Sequence, residues 1–382
     1  MQGVEMSHMN AGITALLEAY FDFVNSSVDD ALRRIAAYGK KDTLGMDAGP
    51  EITICESLGR YDAGAVVITE EVGAKGGDDF RPYDTQTLKT VFISDPTDRS
   101  NQLKAFLATY PREQRIGDIF ADPTTRVKWE SSFSNPASIT GATSAISCVR
   151  RGRPIFAVIV NYITQEMVVS CAAGNRIIKL PDDRPELIDL NYVCEHGSLL
   201  AFPCMDGSFN NMLRFTTFLG DVGKIGYREN FLDSGLMDES QLTAHLHYDK
   251  PGGPSRVLYL SSLQSDSTPV GFVLANGEKI GEWIHWLPFV WFARSQYDDS
   301  QPALVLYEVF QDRPWTKEGV LMSTPPNYSV FREVGGRFYI DTSLLLRMPN
   351  PSKLRSTLIV APHDNRWAMR LSSQSGYREI RF

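Results

Sequence analysis

Cysteine is scarce in this chain and is not spaced as metal clusters require. The 382 residues include five cysteines, Cys55, Cys148, Cys171, Cys194 and Cys204, and no Cys-x-x-Cys. An odd count without that spacing argues against a zinc cluster and against a secreted disulfide framework. It reads as small buried hydrophobes in a reducing cytoplasm. Long apolar runs are missing too. No stretch approaches the roughly 18 residues of a membrane span, so no membrane is expected as partner. The opening "MQGVEMSHMNAGITALLEAYFDF" lacks a basic segment and a small-residue cleavage site, and reads as mature sequence rather than a signal peptide. No block of lysine and arginine offsets the net charge of −8, which speaks against nucleic acid as a partner. "RRGR" at 150–153 reads as a solvated hairpin turn. There is no G-x-G-x-x-G after a strand, no P-loop and no G-x-S-x-G elbow, which weakens readings as a nucleotide-driven enzyme or a serine hydrolase. His245 and His247 alternate as on a strand and lack a partner at ligand spacing, so they read as surface residues.

What is present is an ordinary globular composition, 43% hydrophobic and 22% charged, in a chain long enough for two halves. We place them at 1–195 and 196–382. "AGITALLEAYFDFV" puts Ile13, Leu16, Leu17, Tyr20, Phe21 and Val24 on one helical face. "SSVDDALRRIAAYGK" predicts a second helix, capped by Ser27 and ended by Gly39. "AVVITEE" and "TVFIS" are short β-type runs, each followed by carboxylates. "SNQLKAFLATY" predicts a helix with Ser100 as its N-cap. "TSAISCVRRGRPIFAVIVNYITQEMVVSCAAGN" predicts three strands joined by two tight turns. Further on, "SRVLYLSSLQ" reads as helical, and "ALVLYEVF", "GGRFYIDTSL" and "STLIVAP" read as strands. The aromatic run from Trp283 to Phe292 reads as core packing. Helices alternating with strand blocks predict an α/β class.

The densest chemistry lies in "VFISDPTDRSNQL", where Asp95 and Asp98 flank Pro96 and Thr97 just past an apolar run. Two carboxylates so close repel each other and desolvate badly at a strand end, and a hard divalent cation with oxygen ligands offsets that cost. Asp95, Asp98 and the Thr97 carbonyl are candidate ligands. The start of the following helix, near Ser100, offers N–H groups to an anion. Cation ligands beside a phosphate cradle suggest metal-assisted phosphoester hydrolysis.

This strand, turn and helix resembles the Asp-Pro-x-Asp-Gly-[Ser/Thr] signature of the inositol monophosphatase and fructose-1,6-bisphosphatase superfamily. The resemblance continues upstream. "VITEEVG" is similar to the family's strand ending in Gly-Glu-Glu, with Thr69 at the glycine, which implies Glu70 or Glu71 as a metal ligand. "YGKKDTLGMDAG" is similar to the Lys-x-Asp…Asp stretch, which implies Asp47, with Asp42 as the alternative, as the aspartate that positions the attacking water. The block at 144–175 resembles the family's hairpin block. "FREVGGRFYIDTS" and "STLIVAP" resemble its later Glu-Ala-Gly-Gly…Asp block and closing strand, so the likeness spans most of 10–365 in order.

The resemblance implies a layered α-β-α-β-α sandwich of the sugar phosphatase type. It implies a Mg2+-dependent, Li+-sensitive phosphatase with two or three ions per site, acting on a small phosphorylated sugar, inositol or nucleotide. Asp47 and Glu71 would be catalytic. Glu70, Glu71, Asp95, Thr97, Asp98 and Glu282 would hold metal. Asp98, Arg99, Ser100 and Asn101 would bind substrate, and a cytoplasmic homo-oligomer, a homodimer, is expected. Two departures stand out. Arg99 occupies the glycine position, and if Trp286 matches the family's Trp-Asp motif, Leu287 stands at the aspartate. Glu282, His285 and Glu308 are the candidates to replace that carboxylate, with Glu282 preferred. The alternative reading is a degenerate member that binds a ligand or partner without phosphatase activity.

Overall fold

The computed structural model describes residues 3–36, 38, 43–62, 66–69, 71, 73–75, 90–98, 100–132, 141–172, 174–181, 188–200, 257–261, 271–279, 304–309, 329, 331–341, 355–362 and 377–380. The first helix, α1 (Gly3–Asn25), carries the apolar face expected of it. Ile13 and Leu16 are wholly buried, and Tyr20, Phe21 and Val24 nearly so. It lies against α3 (Gly45–Tyr61) and against strands β4 (Thr143–Arg150) and β5 (Arg153–Asn161). Between the two long helices, α2 (Val28–Leu32) starts where Ser27 accepts a hydrogen bond from the Asp30 N–H.

The second helix was expected to run to Gly39, but it stops at Leu32. The main chain beyond it is claimed by a short ladder. Arg34 bridges Leu44, the Ile35 N–H donates to the Thr43 carbonyl, and the Gly45 N–H donates to the Arg33 carbonyl. α3 then begins at Gly45, where a Cβ would stand 2.0 Å from the Asp30 carbonyl oxygen. Only glycine permits that approach.

The eight-stranded sheet has the order β2-β1-β3-β4-β5-β6-β7-β8. Its other members are β1 (Val66–Thr69), β2 (Gly73–Lys75), β3 (Thr90–Asp98), β6 (Glu166–Cys171), β7 (Gly174–Lys179) and β8 (Ser198–Leu200). The β4–β6 meander matches the expected three strands and two tight turns. Arg151 (φ 50°) and Gly152 (φ 74°) form the first turn, both left-handed, as a two-residue hairpin requires. The arginines of that turn, Arg151 and Arg153, are exposed. Helices α4 (Ser100–Leu107), α5 (Ile116–Ala121) and α6 (Thr125–Ser131) follow β3, and α7 (Leu190–His196) lies beside β7 and α1. One continuous core joins α1, α3 and this sheet through Phe92, Phe156, Val158 and Tyr162, all wholly buried. Cys148 and Cys171 are buried in it, and burial pushes the Cys148 thiol well up; none of the four described cysteines forms a disulfide.

A second sheet is antiparallel throughout, in the order β15-β11-β14-β10-β9. It comprises β9 (Val257–Ser261), β10 (Gly271–Lys279), β11 (Leu304–Val309), β14 (Arg355–Pro362) and β15 (Tyr377–Ile380). "SRVLYLSSLQ" was expected to be helical, but its centre is β9. Val257 to Ser261 pair residue for residue with Ala275 to Gly271, and this pairing overrides the helical preference of the leucines. A hairpin of β12 (Phe331–Val334) and β13 (Arg337–Ile340) touches both sheets. The Ile340 N–H donates to the Gly152 carbonyl at 2.7 Å, and Arg378 of β15 donates to the Phe331 carbonyl at 2.9 Å. The α/β sandwich class holds, with a helical layer, the eight-stranded sheet and the five-stranded sheet as its described parts. No helix among the described residues is long and apolar enough to cross a membrane. The aromatic run from Trp283 to Phe292, His245, His247, Cys204 and residues 76–89 lie outside the described residues.

Candidate functional site

The site begins with strand direction. Among the described strands of the larger sheet, β1 and β3 form the one parallel pair, with Thr69 beside Ser94. Both strands therefore end on the same side, where acidic residues follow. The apolar run ending at Ser94 was expected to give way to a turn at Asp95. Instead β3 continues, pairing Asp95 with Ala145 and Asp98 with Thr143 across an irregularity that accommodates Pro96. Asp95 is 6% exposed, and its Oδ1 is shut off from solvent.

α3 closes the site from one side, although its sequence is a poor helix former. Gly45, Gly49, Pro50 and Gly59 all lie within it. Pro50 has no N–H, so the Met46 carbonyl four residues earlier loses its helical partner. The hydroxyl of Thr97 takes that carbonyl, 2.6 Å away and buried. The defect in the helix is thus the point where the Asp95–Asp98 segment docks. Asp47 is the next residue along, third in the helix and 9% exposed. Its carboxylate accepts a long 3.4 Å bond from the Leu44 N–H. From below, the Tyr162 hydroxyl reaches the Pro96 carbonyl at 3.5 Å. Burial pushes this phenol well up, so it stays protonated as a donor beneath the acidic segment.

One helical turn beyond Asp47 lies Glu51, fully buried. It accepts from the Tyr38 hydroxyl and from the Glu71 main-chain N–H, each at 3.2 Å. The Glu71 carboxylate in turn accepts from the Thr43 hydroxyl at 2.5 Å. Burial, with the added charges of Glu51 and Glu71, drives the Tyr38 phenol well above its ordinary value. Glu51 was not singled out from sequence. The signal was its spacing of four from Asp47, in a stretch whose glycines and proline hid the helix.

The remaining candidates divide plainly. Ser100 is the first residue of α4 rather than a cap ahead of it, and Asn101 is exposed on the same helix. Asp98 ends β3, but its side chain is not described. Asp42, Glu70, Arg99, Glu282, His285 and Leu287 lie outside the described residues. Glu308, raised as a substitute ligand, sits in β11 and is 1% exposed. Its carboxylate accepts from Arg378 and from Ser329, each at 2.6 Å. That pairing already supplies the positive charge that a metal would bring. Among the described residues, no group of three His, Cys, Asp or Glu side chains is arranged to hold a metal ion.

No family model and no curated protein matches the chain. It is similar to solved structures. With CysQ from Bacteroides thetaiotaomicron, a bacterial member of the inositol monophosphatase family, it shares 12% identity over 95% of this chain and 98% of that one, at a TM-score of 0.42. With an inositol monophosphatase from Zymomonas mobilis it shares 12% identity over 98% of each chain, at a TM-score of 0.41. With a hypothetical protein from Pyrococcus horikoshii that has similarities to inositol-1 monophosphatase, it shares 11% identity over 95% of each chain, at a TM-score of 0.38.

Proposed function

We propose that the chain is a divergent inositol monophosphatase-type enzyme, a Mg2+-dependent phosphatase acting on a small phosphorylated sugar, inositol or nucleotide. The observation that carries this reading is the docking of Asp95-Pro-Thr-Asp98 onto the first turn of α3 by the Thr97–Met46 bond, which brings Asp95 and Asp47 to one end of the sheet. Asp47, Glu71 and Asp95 do not by themselves form a ready metal group, but their donors are carboxylate oxygens, the hard type that suits Mg2+ rather than a softer metal. Glu70, Asp98, the Thr97 carbonyl and Glu282 are proposed to complete the set. Mg2+, when bound, supplies a lowered pKa for water and charge to offset the leaving oxygen.

The chain's own residues do the rest. Asp47 accepts a hydrogen bond from the attacking water and points it in line with the phosphorus–oxygen bond that breaks. Thr97 and Tyr162 hold the acidic segment from either side, so its geometry is set before substrate arrives. Ser100 and Asn101, opening α4, offer N–H groups to phosphate oxygens, and Arg99 adds a guanidinium for a second anionic group. A homodimer in the cytoplasm, Li+ sensitivity and the halves 1–195 and 196–382 belong to the same proposal.

The test is phosphate release from a panel of sugar, inositol and nucleotide phosphates, with Mg2+, with Mg2+ plus Li+, and with the Asp95→Asn variant. Release that needs Mg2+, falls with Li+ and vanishes in the variant supports the reading. Folded protein that releases nothing under any condition defeats it. The Glu308–Arg378 pair favours a second reading, a ligand-binding member that has lost second-metal chemistry, because that carboxylate is already engaged. Tight binding of a phosphorylated polyol without turnover would select it.

A further inference from the structure

Glu51 and Thr43 have no role in the reaction as described, yet both close on one residue of the site. A fully buried carboxylate is costly, and an apolar side chain of the same size would serve packing better. Glu51 instead accepts the Glu71 N–H, where the chain has just left β1 and is about to enter β2. Thr43, two residues before α3 begins, donates to the Glu71 carboxylate. Thr43 is itself fixed by the ladder in which its carbonyl accepts from Ile35. Tyr38 forms the outer member, donating to the other oxygen of Glu51. Main chain and side chain of Glu71 are thus held independently, each by a residue flanking Asp47.

We propose that Glu51 and Thr43 are positioning residues, which set the place and the direction of the Glu71 carboxylate for the cation. This rests on the phosphatase reading. Outer partners of this kind change metal affinity by about 10- to 100-fold when removed. The prediction separates the two arms, because Thr43 steers the carboxylate whereas Glu51 steers the backbone.

The experiment uses the full chain and the variants Thr43→Val, Glu51→Gln and Glu51→Ala. Mg2+ is titrated by calorimetry without substrate, and exchange of the Glu71 amide is followed without metal. Thr43→Val is expected to weaken Mg2+ by about 10-fold or more while the Glu71 amide stays protected. Glu51→Ala is expected to lose both. Glu51→Gln, whose amide oxygen still accepts, is expected to keep the protection and most of the affinity. Should Glu51→Ala fail to fold, the other two variants carry the test. Mg2+ binding in Thr43→Val as tight as in the wild type, with Glu51→Gln exchanging freely at Glu71, overturns the inference and leaves the phosphatase reading standing. A wild-type chain that binds no Mg2+ overturns both.

Discussion

The contact between Thr97 and the Met46 carbonyl can be tested as a thermodynamic cycle, because the chain holds two routes to satisfying the same oxygen. In the native protein, Pro50 cannot donate to that carbonyl, and Thr97 does so at 2.6 Å. Thr97→Val keeps the shape, and the residue is 4% exposed, so little apolar surface changes. What it removes is the donor, which leaves a buried carbonyl unpaired at a cost of about 1–3 kcal/mol. Pro50→Ala restores an N–H that can close the ordinary helical bond back to Met46. In that background the carbonyl has a second donor, and Thr97→Val should cost no more than about 0.5 kcal/mol, the size of an ordinary substitution. The coupling between the two positions is therefore about 0.5–2.5 kcal/mol, within the range for residues that share one partner. Urea midpoints of the wild type, both single variants and the double variant measure it. Equal costs of Thr97→Val with and without the Pro50→Ala change would refute the reasoning, since they would mean that the two positions do not compete for one oxygen. Phosphate release on the same four proteins adds a second reading. Turnover should fall in both Thr97→Val and the double variant, because neither keeps the hydroxyl that docks the acidic segment, while stability recovers in the double variant alone.

Three further outcomes are expected. Arg378→Met strands Glu308, whose carboxyl burial already pushes up against the pull of Ser329 and Arg378. The loss should be about 3–5 kcal/mol, with most of it recovered in the Arg378→Met/Glu308→Leu double variant, by thermal unfolding. His8 is buried between the Tyr61 and Thr90 hydroxyls, and burial, with Arg150 nearby, lowers its pKa. The unfolded chain then binds the extra proton first, so stability is full above about pH 6.5 and declines as pH falls below it, by at most about 1.4 kcal/mol per pH unit. Unfolding midpoints from about pH 7.5 to 5 should show this slope, and His8→Gln should flatten it. Gly45→Ala drives a methyl group onto the Asp30 carbonyl and should cost about 1–3 kcal/mol, read from the urea midpoint.

How much of this was legible in the sequence depended on whether a signal was local. The β4–β6 meander was readable because β-branched runs and an Arg-Gly turn announce themselves within a few residues. The Asp-Pro-Thr-Asp segment was readable as chemistry because four adjacent residues carry it. α3 was not, because what makes Pro50 tolerable is a hydroxyl far along the chain, at Thr97. Glu51 stayed hidden for the same reason, since a lone glutamate beside glycine and proline reads as surface. The β9 segment misled because its leucines favour a helix in isolation, and the deciding partner is β10. The shortened α2 likewise reflects a ladder with Thr43 and Gly45 that no periodicity records.

The parallel pairing of β1 with β3 has a consequence for how this architecture can change. Two adjacent strands running the same way deliver their final residues to a common edge however the chain travels between them. Lys75, beside Val67, and Thr90, just before the Val66–Val91 pair, stand at the far end of these strands from Glu71 and Asp95, so a change of length between them need not part the two acids. Evolution, or an engineer, could lengthen or shorten that connection while the arrangement of acids is inherited unchanged.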